Sequence, residues 1–189
     1  IDLTGWSLDD EDGTDWGKMD AGTQLAPGQV AVLYNNFFDT ISETDFRTSW
    51  NVPDEAVVLG VFWGDLSNDP VTSGELNEVL RLLDAGGETV EVVNYGNDGL
   101  QWPQIFDGPS IYLAQLTGDS QLGTNWMKSV VDTNDAIHPS GDIYDAADIG
   151  SPGRVSVPTD TDAPAISAVY AAADTWTTDF IDAVESISC

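Results

Sequence analysis

Val79-Leu80-Arg81-Leu82-Leu83-Asp84-Ala85-Gly86-Gly87-Glu88-Thr89-Val90-Glu91-Val92-Val93-Asn94-Tyr95 is the stretch on which the fold turns. Aliphatic and β-branched residues fill both halves. The centre, Asp-Ala-Gly-Gly-Glu, reverses a chain because glycine reaches the positive φ that tight turns need. The spacing predicts an antiparallel hairpin with strands over 79–83 and 89–95. In the second strand Val90, Val92 and Asn94 alternate with Glu91, Val93 and Tyr95, which predicts one largely buried and one mixed face.

Working outward, similar short runs occur at 29–34, 56–62 and 110–116, each bounded by Gly, Asp, Asn or Pro, and these read as strands. One helix is predicted over Glu43–Trp50, with Ser42 or Thr44 as cap and Phe46 and Trp50 four residues apart on one side. Trp6, Trp16, Trp50, Trp63, Trp102 and Trp126 all precede residue 130, which places the main core there. The run Val-Ser-Val-Pro-Thr-Asp-Thr-Asp-Ala-Pro at 155–164 has linker composition. The expected organisation is therefore a β-rich domain at 1–156, a linker at 157–164, and the truncated start of a following module at 165–189. A tail of about 25 residues does not bury a core by itself.

Charge excludes whole classes of partner. The chain has 33 Asp+Glu against 5 Lys+Arg, a formal net charge of −28. Its cations, Lys18, Arg47, Arg81, Lys128 and Arg154, are scattered, so no basic patch exists to release counterions from nucleic acid. Anionic membrane surfaces are disfavoured on the same ground. The longest apolar run, 56–63, is less than half of the roughly 20 residues that a spanning helix needs. The single cysteine, Cys189, forms no internal disulfide, and one histidine supplies no His-rich zinc site. That histidine stands in His138-Pro139-Ser140-Gly141, which reads as a turn, and the chain has no Gly-x-Ser-x-Gly elbow, P-loop or dinucleotide fingerprint. The first residue is Ile1, with no basic signal region ahead of it, so the chain is expected to be a fragment or a processed product.

Several ordered words carry a resemblance. They are Asp2-Leu3-Thr4-Gly5-Trp6-Ser7-Leu8, Leu25-Ala26-Pro27-Gly28-Gln29-Val30 and Leu66-Ser67-Asn68, followed by the 79–87 half of the hairpin. After them come Val93-Asn94-Tyr95 with Trp102-Pro103, Gly108-Pro109-Ser110-Ile111-Tyr112-Leu113, Asn125-Trp126 and Gly150-Ser151-Pro152-Gly153. In this order they resemble the lamin-tail domain family, across about 150 residues. The resemblance implies an all-β, immunoglobulin-like β-sandwich, here with a short helix and long acidic loops, of the type found in nuclear lamins and in bacterial secreted or surface proteins. Two departures stand out. The family's first strand, ahead of its "D-L-S-G-W" word, is missing, which implies a sandwich incomplete at the N-terminus, with an exposed sheet edge that a partner chain could complete. Residues 69–78 are inserted within the "L-S-N-x-G-E" word. Residues 165–180 also look like the opening of a repeat-rich surface module.

Chemistry-bearing residues are few. The most metal-like string runs from Asp9 to Asp15, where Asp10, Asp12 and Asp15 flank Gly13 as hard oxygen ligands of the kind calcium takes. It lacks the bidentate Glu of an EF-hand, and a hairpin turn with solvated aspartates accounts for the same residues. No other cofactor is implied. Asp132, Asn134, Asp135, Asp142, Asp145 and Asp148 read as a solvated loop face. Trp16 and Trp63, if exposed, would suit a sugar or peptide. Otherwise the aromatic residues are expected in the core.

These readings converge on a non-catalytic interaction or spacer module of a larger secreted or cell-surface bacterial protein, with an unidentified protein or polysaccharide as partner. The alternative is an accessory binding domain of a secreted hydrolase or nuclease whose catalytic domain lies outside the fragment. A nuclear lamin role is disfavoured, because no heptad rod precedes the domain and chromatin contact calls for more Lys and Arg. The acidity suits a marine or halophilic exterior, where salt screens self-repulsion. Stability is then expected to fall as salt is lowered from molar to millimolar.

Overall fold

A computed structural model describes residues 1–10, 17–36, 40–62, 66–67, 71–72, 74–104 and 108–155. The linker expected at 157–164 and the module expected at 165–189 lie outside the described residues. Along the chain the elements are β1 (Ser7–Asp9), β2 (Ala31–Asn35), α1 (Glu43–Trp50), β3 (Val57–Val61), β4 (Glu78–Leu83), β5 (Thr89–Tyr95), β6 (Ile111–Leu113) and β7 (Trp126–Lys128). The protein is thus rich in strands, with a single α-helix among the described residues.

The predicted hairpin forms. β4 and β5 pair antiparallel, Glu78 opposite Tyr95 and Leu80 opposite Val93, and β1 adds to the other side of β4 with Leu8 opposite Leu82. At the turn Asp84 Oδ1 accepts from the Gly86 and Glu88 amides at 2.8 and 3.0 Å, while Gly87 takes φ +85°. The largely buried face expected in β5 is not found: its residues are exposed or partly buried, and Val90 is half exposed. The side of β4 that meets the core carries Leu80 and Leu82, which lie opposite Val93 and Glu91. Period-2 alternation identifies two faces but does not say which one the neighbouring layer covers.

The expected exposed edge is not at β1. Residues 17–23 run along its free side: Met19 donates to the Trp6 carbonyl at 2.8 Å, Gly5 to Met19 at 2.9 Å and Leu3 to Thr23 at 2.8 Å. At the far side of the sheet, the Ser120 and Gln121 side chains reach the Val92 carbonyl of β5.

β2 and β3 form a separate parallel pair, Ala31 with Val57 through Asn35 with Val61. Parallel neighbours need a long crossover, and α1 lies in it. Because both faces of such a pair are covered, its strands read as nearly unbroken apolar runs, Ala-Val-Leu-Tyr and Val-Val-Leu-Gly-Val. On one face Leu33, Leu59 and Val61 pack with Leu3, Leu8, Met19, Leu80 and Leu82. On the other, Val32, Tyr34 and Val58 pack with Phe46, Trp50, Val52 and Ala56. Tyr34 stacks on Phe46 with ring centroids 4.7 Å apart, and Tyr144 meets Trp50 edge-on at 5.5 Å. Gly60 is required here, because a Cβ at that position would lie 2.9 Å from the Tyr34 hydroxyl.

The helix occupies the predicted residues. Ser42 caps it by accepting from the Asp45 amide at 3.1 Å, and Asn51 ends it in the left-handed region at φ 46°. Arg47 pairs with Glu43 and also donates to the Pro53 and Ala56 carbonyls at 3.3 and 2.9 Å, tying the helix to the start of β3. Arg154 donates to the Trp50 and Asn51 carbonyls, which joins residues after the last strand to the helix C-terminus. β6 and β7 pair antiparallel, shorter than the predicted strand at 110–116 because a turn closes between Gln115 and Gly118.

Candidate functional site

Two polar constellations stand at one end of the β4–β5 hairpin, and the first follows from strand parity. Asp9 is opposite Arg81, and the pair makes an ion pair at 3.3 Å on the outer face. One residue further, the side chain changes face, and Asp10 is carried inward to 1% exposure. The solvated-turn reading of Asp10 is therefore corrected: it is a buried carboxylate. Asp12 and Asp15, its expected partners for calcium, lie outside the described residues. Among the described residues no group of three or more His, Cys, Asp or Glu side chains is arranged to hold a metal.

Around the same end, Glu78, Tyr95, Ser67 and Asn77 grip one another. Tyr95 donates from its hydroxyl to the Ser67 carbonyl at 2.7 Å and to Glu78 Oε2 at 3.1 Å. The Ser67 amide donates to the same Glu78 oxygen. Ser67 Oγ donates to Asn77 Oδ1 at 2.9 Å, and Asn77 Nδ2 returns a bond to the Ser67 carbonyl at 3.2 Å. Burial pushes the Tyr95 phenol well above its ordinary value, with the negative charges of Glu78 and then Asp10 adding to the shift. The phenol stays protonated and acts as a donor. Ser67 spends its amide, hydroxyl and carbonyl on structural partners, so the set ties the 66–67 segment to the hairpin rather than presenting a nucleophile.

The second constellation is Asp98, which the sequence reading passed over. Its Oδ1 accepts from the amides of Leu100, Gln101 and Trp102, each at 2.9 Å, and its Oδ2 accepts from Gly74 at 3.1 Å. Those amides, Trp102 and Leu100 foremost, hold the carboxyl down at about 2. The signal was present in Asn97-Asp98-Gly99, an Asx-turn composition followed by free amides. The clamp sets Trp102, 4% exposed, against Trp126 at a centroid distance of 6.0 Å. Gly123 allows this approach, since a Cβ there would meet the Trp102 ring at 2.7 Å. Trp102 thus packs at a loop end, buried against Trp126. Trp16 and Trp63 lie outside the described residues.

The remaining candidates are engaged by backbone. His138 contacts the Asp148 carbonyl through Nδ1 at 2.9 Å. Ser140, in the same turn, donates its amide to the Ser49 carbonyl at 2.7 Å, and its hydroxyl reaches the Thr48 carbonyl at 3.3 Å. Asp132, Asn134 and Asp135 adopt positive φ between 50° and 62° on an exposed loop, and Asp142 and Asp145 are also exposed. Asp145 accepts from the Ala147 amide, and Asp148 from the Asp145 amide. Their oxygens and backbone conformations suit turns. No helix among the described residues is long and apolar enough to cross a membrane. Compared with family models, curated proteins and solved structures, the chain matches none of them.

Proposed function

We propose that the chain is a non-catalytic interaction or spacer module of a larger secreted or cell-surface bacterial protein, built as an immunoglobulin-like β-sandwich of lamin-tail type. The observation that carries the reading is where the reactive side chains go. Ser67, Glu78, Tyr95, Asp98, His138 and Ser140 each hydrogen-bond a backbone group of another segment or of their own turn. Residues spent in this way hold loops in place and leave a surface, rather than a reacting centre, as the working part of the domain. The ordered lamin-tail words support the family assignment, and the two packed layers that meet through Leu33, Leu59, Leu80 and Leu82 suit a sandwich. The acid excess supports an exterior setting in which partners are proteins or polysaccharides rather than nucleic acid.

The test is an activity screen of the purified 189-residue chain against glycoside, ester, peptide and nucleic-acid substrates. Turnover at the level of the buffer blank is expected with every substrate. Turnover that is abolished by Ser67→Ala, Glu78→Gln or His138→Ala would overturn the assignment.

A further inference from the structure

The parallel pair carries an edge that the described residues leave open at Ala31 and Leu33. In a parallel ladder, alternate residues of a strand direct both N–H and C=O to the same side. Val57 donates to the Val30 carbonyl at 2.9 Å and Asn36 to the Val61 carbonyl at 3.1 Å, so even-numbered residues of β2 face β3. Ala31 and Leu33 therefore direct their amides and carbonyls away from β3. Among the described residues none pairs with those groups, and β2 is the outer strand of a two-stranded sheet. The edges of the hairpin sheet are treated differently: residues 17–23 line β1, and Ser120 and Gln121 reach Val92 of β5. Among the described residues the free side of β3 is bonded at its flanks, by Arg47 at Ala56 and Gly17 at Phe62, and Gly60 interrupts the strand between them. Residues Ala31–Asn35 include no charge, proline or glycine, the usual guards of an exposed strand.

We infer that the β2 edge is a docking site for an extended, cationic peptide segment of a partner protein, which adds as a strand beside Ala31–Leu33. This rests on the interaction-module reading and names its partner by chemistry. Main-chain bonds to Ala31 and Leu33 supply register without sequence preference. Charge selects the occupant. A second copy of the chain brings another −28 to the contact, whereas a segment bearing Lys or Arg is drawn in by the field of this one. Exposed Asp54 and Glu55 stand where β2 begins, since Gln29 Nε2 donates to the Glu55 carbonyl at 3.0 Å, so a basic residue at that end of the segment meets local negative charge.

The experiment is amide hydrogen exchange by NMR on the 189-residue chain, alone and with a synthetic nine-residue peptide of alternating valine and threonine between terminal lysines. In the free protein Val32 and Tyr34 should be protected, while Ala31 and Leu33 exchange as open amides. With peptide up to millimolar concentration, Ala31 and Leu33 should slow by about tenfold or more, and a glutamate-ended counterpart should bind about tenfold more weakly at low salt. Ala31→Pro removes an outward N–H and no β2–β3 bond, so it should abolish peptide binding. If that variant unfolds, the exchange of the unmodified chain decides alone. Protection of Ala31 and Leu33 in the free monomer, no added protection at millimolar lysine peptide, or concentration-dependent protection with a dimer mass in sedimentation would each refute the inference. None of these outcomes touches the activity screen, whose failure would be seen as turnover.

Discussion

The hairpin sheet, β1–β4–β5, and the crossover unit, β2–α1–β3, solve the same problem in opposite ways. The first turns one face to the core, leaves Val90 half exposed on the other, and has its edges covered by residues 17–23 and by Ser120 and Gln121. The second has apolar partners on both faces, yet among the described residues nothing covers the outward amides of Ala31 and Leu33 on β2. Antiparallel neighbours joined by a short turn can leave a face to water, because alternation puts polar residues there. A parallel pair requires a crossover, and the crossover helix itself becomes the cover for one face. Faces are where the crossover unit gains its stability, and the edge is where it is available to a partner.

The largest test of this contrast is Phe46→Ala. Phe46 is 6% exposed and stacks on Tyr34, so truncation should cost about 3–5 kcal/mol in urea unfolding, with exchange protection of β2 and β3 lost first. Equal loss of protection in β4 and β5 would show that the two regions unfold as one unit. Next is Tyr95→Phe, which removes the donor shared by Ser67 and Glu78 and should cost about 1–3 kcal/mol by the same measurement. A neutral result would mean that water replaces the phenol, and that the hairpin end is wetter than its burial implies.

Asp98 tests the hairpin end through pH. Its carboxyl titrates at about 2 when folded, against 3.8 ordinarily, so the group binds its proton more weakly in the folded state. Its contribution is fully present above pH 3.8 and is lost as the pH falls through about 2. Asp98→Asn should therefore melt below the unmodified chain at neutral pH, and the gap should close as the pH approaches 2. A gap that is constant with pH would mean that the amides gain nothing from the charge. The smallest effect is expected at Val90→Thr, on the exposed face of β5, where the change should stay within about 0.5 kcal/mol. A larger loss would show that this face is covered in solution.

Legibility differed between the two regions for a physical reason. The hairpin was readable because turn and strands are contiguous: Asp84 to Glu88 names the reversal, and the pairing partner is the next run along. The helix was readable from Ser42, Phe46 and Trp50. That β2 and β3 are partners, and parallel ones, was not readable, since Ala31 to Val57 is a long separation and an apolar run does not state its neighbour. How far either face of β5 is buried was not readable for the same reason, because only the layer opposite selects Leu80 and Leu82 as inward. Of the candidate site, Asp10 was singled out for its place in an acidic string, whereas its burial follows from the pairing of Asp9 with Arg81. Glu78 read as the last residue of the 69–78 insertion and Tyr95 as an ordinary strand residue until the register put them opposite each other. Asp98 had a local signature and was missed among many acidic turn residues.

By itself the sequence determined what acts locally or globally by composition. It set the turns at Gly87 and Asn51, the capped helix, the strand-rich character, and a net charge of −28. Tertiary structure decided which edges are closed, which carboxylate is buried and which amides remain outward on β2. Those outcomes depend on residues far apart in the chain meeting in one register, and no local preference of φ, charge or hydrophobicity encodes such a meeting.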